Sequence, residues 1–231
     1  MRIIFVRHGK PDYKTDTLLE LGREQAEAVA KRLLSEGICE VYSSTMGRAI
    51  ETAEPFSRIT GLENTPLKFA REINWGSGTD EEILCGGNPW FFIPEMIKAN
   101  KSVIAPDAEV AEHLSRNAVL HSTVKRVTDG LDAWLAERGY TREGNYYRVK
   151  EGTEEKTVAL FCHGGSSTAM IAHLLSIPFI HFCSVYRPYF TSVSIIDIIP
   201  EAGASFALPK IELLTDDRHA PRDESKAEIK R

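Results

Sequence analysis

The chain has 231 residues, 42% of them hydrophobic and 26% charged, with a formal net charge of −5. That length and balance suit one globular domain, or one domain carrying an insertion. The acidic balance and the lack of a long basic run argue against a nucleic-acid or membrane surface and leave anionic partners to a local positive pocket. The four cysteines (Cys39, Cys85, Cys162, Cys183) are widely spaced, with no C-x-x-C pair and no zinc-type clamp, and read as reduced thiols. No apolar stretch has the length of a membrane span, and MRIIFVRHG lacks a signal-peptide h-region, so the expected compartment is the cytoplasm.

In chain order, residues 3–6 (IIFV) are apolar throughout, as a central strand buried on both faces requires. A loop follows, and then residues 18–37 carry Leu18, Leu21, Gln25, Val29 and Leu33 at helical spacing until Gly37. A brief strand is predicted at 39–43 and a helix at 46–60, with Pro55 a kink or break. TPLKFAREINW (65–75) is a third extended piece. Residues 76–106 mix glycine, proline and the aromatic cluster Trp90, Phe91 and Phe92, and read as an irregular, lid-like excursion with short helices; the aromatics are assigned to packing rather than to a substrate cage. A long helical pattern covers about 107–137, and 138–156 a surface hairpin. A strand at 157–161, a helix at 166–176, a strand at 192–200 and a last one at 210–214 complete the pattern. From 215 to 231 the chain is charged and poor in large apolar residues, which predicts a flexible tail after a single domain at 1–214.

Strands alternating with helices predict an α/β fold, layered α/β/α around a mostly parallel central sheet, with ligands beyond the carboxyl ends of the strands. His8 ends the first strand and His163 the strand at 157–161, so both fall on that edge. Arg7 precedes His8, and Arg48 follows the second strand by a few residues. Two guanidiniums and two imidazoles at one edge suit a dianion, because arginine presents a planar fork matched to phosphate oxygens. The amides of Gly9, Gly164 and Gly165 could approach the same anion, with no side chain in the way.

RHG after the first strand, LxxLGxxQA (Leu18, Leu21, Gly22, Gln25, Ala26), SSxxxRAxETA (Ser43, Ser44, Arg48, Ala49, Glu51, Thr52, Ala53) and a late HGG occur in one order. Together they make the chain resemble the histidine phosphatase superfamily, the phosphoglycerate-mutase-like group, over residues 3 to about 199. The resemblance implies that His8 is the nucleophile forming a phosphohistidine, with Arg7, Arg48 and His163 holding the phosphoryl oxygens and Gly9 and Gly164 beside them. It also implies a carboxylate after the third extended piece, where REINWG supplies Glu72 as general acid and base; Glu81 and Glu82 are alternatives on the neighbouring excursion. It requires no metal and no cofactor, since fixed positive groups supply the electrostatic stabilisation. Positive surroundings favour the neutral, nucleophilic imidazole at His8, and a carbonyl accepting from its other nitrogen would fix the tautomer. His113, His121, His173, His181 and His219 are left as structural or exposed.

Other phosphate chemistries fail on the letters. Cys162 has Thr168 where a cysteine phosphatase loop needs its arginine, no Walker loop occurs, and Gly164-Gly165-Ser166-Ser167-Thr168 is not a nucleophile elbow. Within the resembled family a phosphatase acting on a phosphorylated small molecule, or on a phosphoprotein, is favoured. The alternatives are a phosphoglycerate mutase and a catalytically idle phosphate-binding protein on the same fold. RHGKPDYK places Lys10, Pro11 and Lys14 where glycolytic mutases of this family resemble RHGES…N, so polar contacts to a phosphoglycerate are missing. Oligomeric state and the identity of the phosphomonoester stay open.

Overall fold

The computed structural model describes residues 1–76, 90, 117–202 and 204–222. The chain enters through β1 (Arg2–Arg7), a short pair β2 (Pro11–Asp12) and β3 (Thr17–Leu18), and helix α1 (Glu20–Leu33). β4 (Glu40–Ser44), α2 (Gly47–Thr60), β5 (Asn64–Leu67) and a 3₁₀ turn (Lys68–Ala70) follow. After α3 (Ala118–Ala136) come β6 (Tyr140–Glu143), β7 (Tyr146–Val149) and β8 (Thr157–Cys162). The chain then forms α4 (Gly164–Leu174), α5 (Phe179–Val185), β9 (Val193–Asp197), β10 (Phe206–Ala207) and β11 (Lys210–Asp216). Among the described residues no single helix is long and apolar enough to cross a membrane.

Six strands form the central sheet in the order β11-β9-β1-β8-β4-β5. β1, β8, β4 and β5 pair in parallel; β9 runs antiparallel to β1, and β11 antiparallel to β9. Five strands therefore point one way and β9 alone is reversed, which is the mostly parallel α/β sheet expected. The uniformly apolar IIFV serves both faces. Ile3 and Phe5 join Val158, Leu160 and Ile196 on one face, against Leu131 and Leu135 of α3 and Met170 and Leu174 of α4. Ile4 and Val6 join Ala159, Phe161 and Val193 on the other, against Val29 and Leu33 of α1 and Phe56 of α2. Alternate residues of one strand thus build two cores, which makes three layers α/β/α. Each fully buried side chain of this kind contributes roughly 1.5–3 kcal/mol.

Several expectations change. α2 continues through Pro55 to Thr60, so the proline does not break it. The hairpin is more than surface: Tyr140 and Tyr147 are fully buried, and β10 joins β6 and β7 in a three-stranded sheet. The tail does not begin at 215. β11 extends to Asp216, which is buried against Arg32 and Arg218, and Ala220 is buried beyond it, because paired charge and backbone hydrogen bonds hold a segment that is poor in apolar residues. Apart from Gly76 and Trp90, the excursion at 76–106 lies outside the described residues, as do the first part of the 107–137 helical pattern and residues 223–231.

Candidate active site

The register sets Arg7 of β1 beside Cys162 of β8, so the next residue of each strand, His8 and His163, emerge as neighbours at the carboxyl edge. Their ring centroids lie 5.2 Å apart. His8 is buried, and its Nδ1 lies 2.7 Å from the carbonyl oxygen of Gly9. A carbonyl only accepts, so Nδ1 carries the proton and Nε2 keeps its lone pair. Burial first, then Arg7 and Arg48, push His8 well below the ordinary histidine pKa, against the opposing effect of the Gly9 carbonyl. His163 is lowered likewise, by burial and then by His8, Arg48, Arg7 and Arg71. Both shifts favour the neutral imidazole.

His163 pairs through Nε2 with Ser44 Oγ at 2.8 Å, at the end of β4. Arg7 donates from Nη1 to the carbonyl of Pro188 at 2.7 Å and lies 4.5 Å over the Phe190 ring. Burial lowers its pKa, and the Glu72 carboxylate is the largest opposing influence. Arg48 is 5% exposed and pairs through Nη1 with Asp16, whose other oxygen accepts from the Gly47 amide at 2.8 Å. Asp16 has a φ of 56°, an uncommon conformation for a residue other than glycine. Among the described residues, Arg7 Nε, Arg48 Nε and His163 Nδ1 are buried without a hydrogen-bond partner. Buried polar nitrogens are nearly always satisfied; others are also unpartnered elsewhere, but these three converge beside His8, an arrangement suited to an anion.

Glu72 reaches the same edge as a helix cap. Its Oε1 accepts from the amides of Ser166 and Ile73, both at 2.9 Å, and its Oε2 from Gly165 at 3.2 Å. The carboxylate therefore closes the N-terminus of α4, where orphan amides and the helix dipole favour negative charge. Arg126 of α3 holds the Glu72 backbone by donating to the carbonyls of Arg71 and Glu72. Glu81 and Glu82 lie outside the described residues.

The structure corrects two glycine expectations. The Gly9 amide donates to Thr52 Oγ1 at 3.0 Å and the Gly165 amide to Glu72, so both are already engaged. Gly9 is required by packing instead: a Cβ there would lie 2.5 Å from the Gly22 carbonyl oxygen, and one at Gly22 would lie 2.2 Å from that of Lys10. Helix α1 thus seats backbone to backbone on the loop that carries His8. Gly164 sits against Arg7, with a Cβ position 3.5 Å from the guanidinium carbon.

The shared motif residues acquire physical roles. Gln25 is fully buried, and its Oε1 accepts from the Lys10 amide at 2.9 Å. Glu51 accepts from the Leu18 amide, and Thr52 ties Gly9 to the Arg48 carbonyl. Sequence reasoning missed Asp16, Tyr13, Pro188, Phe190 and Trp75. Tyr13 carries Arg48 5.5 Å from its ring centre, and Trp75 stacks on Phe179. None of these has a local signature; only the run of aromatics in YRPYF hinted that 186–190 packs on something. Among the described residues no group of three or more His, Cys, Asp and Glu side chains is placed to hold a metal ion.

Two buried histidines and two arginines thus stand together at the carboxyl edge of a mostly parallel α/β/α sheet. Residues 3–83 match the histidine phosphatase superfamily (branch 1). A probable phosphoglycerate mutase of Photorhabdus laumondii is 31% identical over 85 residues, which cover 33% of this chain and 40% of that protein's length. Among solved structures, phosphoserine phosphatase of Entamoeba histolytica in complex with 3-phosphoglyceric acid shares the fold at a TM-score of 0.62, with 17% identity, 95% of this chain and 99% of that chain covered. Mycobacterial glucosyl-3-phosphoglycerate phosphatase does so at a TM-score of 0.60, with 23% identity, 93% of this chain and 98% of that chain covered. The match to the histidine phosphatase superfamily covers about a third of the chain, as does the likeness to a probable phosphoglycerate mutase, of whose length the chain spans 40%; the solved structures share the fold.

Proposed function

We propose that the protein is a phosphatase that hydrolyses a phosphomonoester through a phosphohistidine on His8. The observation that carries this reading is the hydrogen bond from His8 Nδ1 to the Gly9 carbonyl, which leaves Nε2 as a lone pair among buried cationic donors. Nε2 attacks phosphorus, the P–O bond to the leaving oxygen breaks, and Arg7, Arg48 and His163 balance charge on the three phosphoryl oxygens. Glu72 in its acid form gives the leaving oxygen a proton. Its carboxylate then takes one from the water that cleaves the P–N bond, releasing inorganic phosphate and restoring His8. These protein groups carry the stabilisation, so activity is expected to survive chelators.

The relationship to a probable phosphoglycerate mutase supports a second reading, return of the phosphoryl group to another hydroxyl. Lys10, Pro11 and Lys14 after the nucleophile favour hydrolysis. The names of the structural neighbours support a phosphorylated small molecule as substrate. A screen over a phosphometabolite panel, with rapid acid and alkaline quench of radiolabelled enzyme, tests both readings. Phosphate release with an acid-labile, alkali-stable phosphoenzyme is expected. Interconversion of 2- and 3-phosphoglycerate with little free phosphate would establish the mutase instead.

A further inference from the structure

The segment Asp217–Arg222 returns to the nucleophile loop from two directions. His219 Nε2 lies 3.0 Å from the carbonyl oxygen of Thr191 and therefore donates to it. Thr191 is β-branched with a φ of 57°, a conformation that persists only where its surroundings over-determine it. Its amide in turn donates to the carbonyls of Arg7 at 3.0 Å and His8 at 3.4 Å. Two residues past His219, the carbonyl of Pro221 accepts from Gln25 Nε2 at 3.0 Å, while Gln25 Oε1 holds the Lys10 amide. That amide belongs to the same peptide plane as the Gly9 carbonyl, the group that fixes the tautomer of His8. A rotation of this plane would break the bond from His8 Nδ1.

We infer that Asp217–Arg222 is a strap that sets the orientation and tautomer of His8, with His219 as a positioning residue acting through Thr191. The segment acts on both sides of the nucleophile: through Thr191 on the carbonyls of Arg7 and His8, and through Gln25 on the Gly9–Lys10 peptide. The strap is anchored at its start by Asp216, which is paired with Arg32 and Arg218, and at its end by Arg222, which pairs with Asp217 at 2.8 Å and lies 4.6 Å over the Tyr189 ring. The inference rests on the reading of His8 as nucleophile given above.

The test compares the full chain with a chain ended after Asp216, a chain ended after Arg222, His219→Ala and His219→Gln. Each is read by turnover of p-nitrophenyl phosphate, by melting, and by the ¹⁵N signals of the His8 imidazole. Ending the chain after Asp216 is expected to lower kcat by roughly tenfold to a hundredfold, as small misplacements of a reacting group do. KM should change by less than about threefold, since the strap does not bind substrate. The Nδ1–H tautomer of His8 should give way to a mixture. His219→Ala moves the same way by less, His219→Gln restores turnover because its amide can donate to Thr191, and ending the chain after Arg222 changes nothing. Wild-type kcat and a single Nδ1–H tautomer in the chain ended after Asp216 would overturn the strap. Should that chain fail to fold, equal kcat in His219→Ala, His219→Gln and wild type overturns it. If wild type hydrolyses no phosphomonoester, the phosphatase reading fails, and the tautomer signals still decide the strap.

Discussion

The two edges of one sheet treat charge in opposite ways. At the amino edge several cations meet acidic counterparts: Arg2 bonds Glu36 and Glu212, Lys156 bonds Glu40, and the terminal ammonium of Met1 donates to Tyr140 and to the Ile198 carbonyl. At the carboxyl edge Arg7, Arg48 and His163 each keep a buried nitrogen without a partner among the described residues. Glu72 spends its oxygens on amides of α4 and the adjoining Ile73 rather than on a guanidinium, and Asp16 takes only one end of Arg48. The difference teaches that charge density alone does not mark a site. What marks it is the convergence of two arginines and a second histidine, each with an unpartnered buried nitrogen, on buried His8, a costly arrangement unless an anion arrives.

Substitutions at the two edges should therefore separate cleanly. His8→Ala is expected to abolish phosphomonoester hydrolysis and phosphoenzyme formation with the cooperative melt retained; substantial residual turnover would end the covalent mechanism. Arg48→Ala should lower kcat by about 10²-fold or more, as loss of one preorganised donor does. Asp16→Asn should cost less, because Gly47 can still orient the side chain; a loss at Asp16 equal to that at Arg48 would show the ion pair itself to be the working unit.

Glu72→Gln sharpens the comparison within the carboxyl edge, where this carboxylate is both helix cap and proposed acid. Turnover of alkyl phosphates should fall more than that of p-nitrophenyl phosphate, because a nitrophenolate leaves with little protonation. Equal losses on both substrates would assign Glu72 to the cap alone and transfer the acid role to Glu81 or Glu82.

The two depressed histidines add a pH dependence confined to the carboxyl edge. Below the ordinary value of 6.5 the unfolded chain takes up protons that folded His8 and His163 refuse. Stability is thus fully present above 6.5 and declines as pH falls through that value towards the lower folded ones. Melting as a function of pH checks this, and His8→Ala should flatten the slope. The acid limb of kcat/KM should lie below 6.5, since His8 stays neutral there. The smallest effect belongs to the amino edge: Arg2→Gln should cost about 1 kcal/mol of stability in denaturant titrations and leave turnover unchanged. A fall in turnover would break the separation of the edges.

Much of this was legible in the letters. IIFV and TVALFC announce doubly buried strands, each ends on a histidine, and parallel pairing brings those ends together, so the carboxyl-edge cluster of Arg7, His8 and His163 follows from local pattern and a topological rule. Arg48 was placed at that edge by following the second strand and Glu72 by the resemblance alone, and the structure sets Glu72 on α4 through hydrogen bonds that no spacing encodes. The charged run from 215 misled because composition measures apolar burial, whereas Asp216, His219 and Pro221 are held by ion pairs and backbone hydrogen bonds.

By itself, then, the sequence determined the layered sheet, the strands that end on histidine and the chemical types of the candidate groups, since these depend on short-range periodicity and residue chemistry. Only the tertiary structure decided which partners each group keeps. The reversal of β9 drops the short 186–192 loop onto Arg7, Asp16 arrives from a loop 32 positions before Arg48, and the strap arrives 196 positions after Gln25. Such contacts depend on the three-dimensional path of the chain, and whether a buried cation is neutralised or left for a ligand is a property of that path, not of any local stretch of residues.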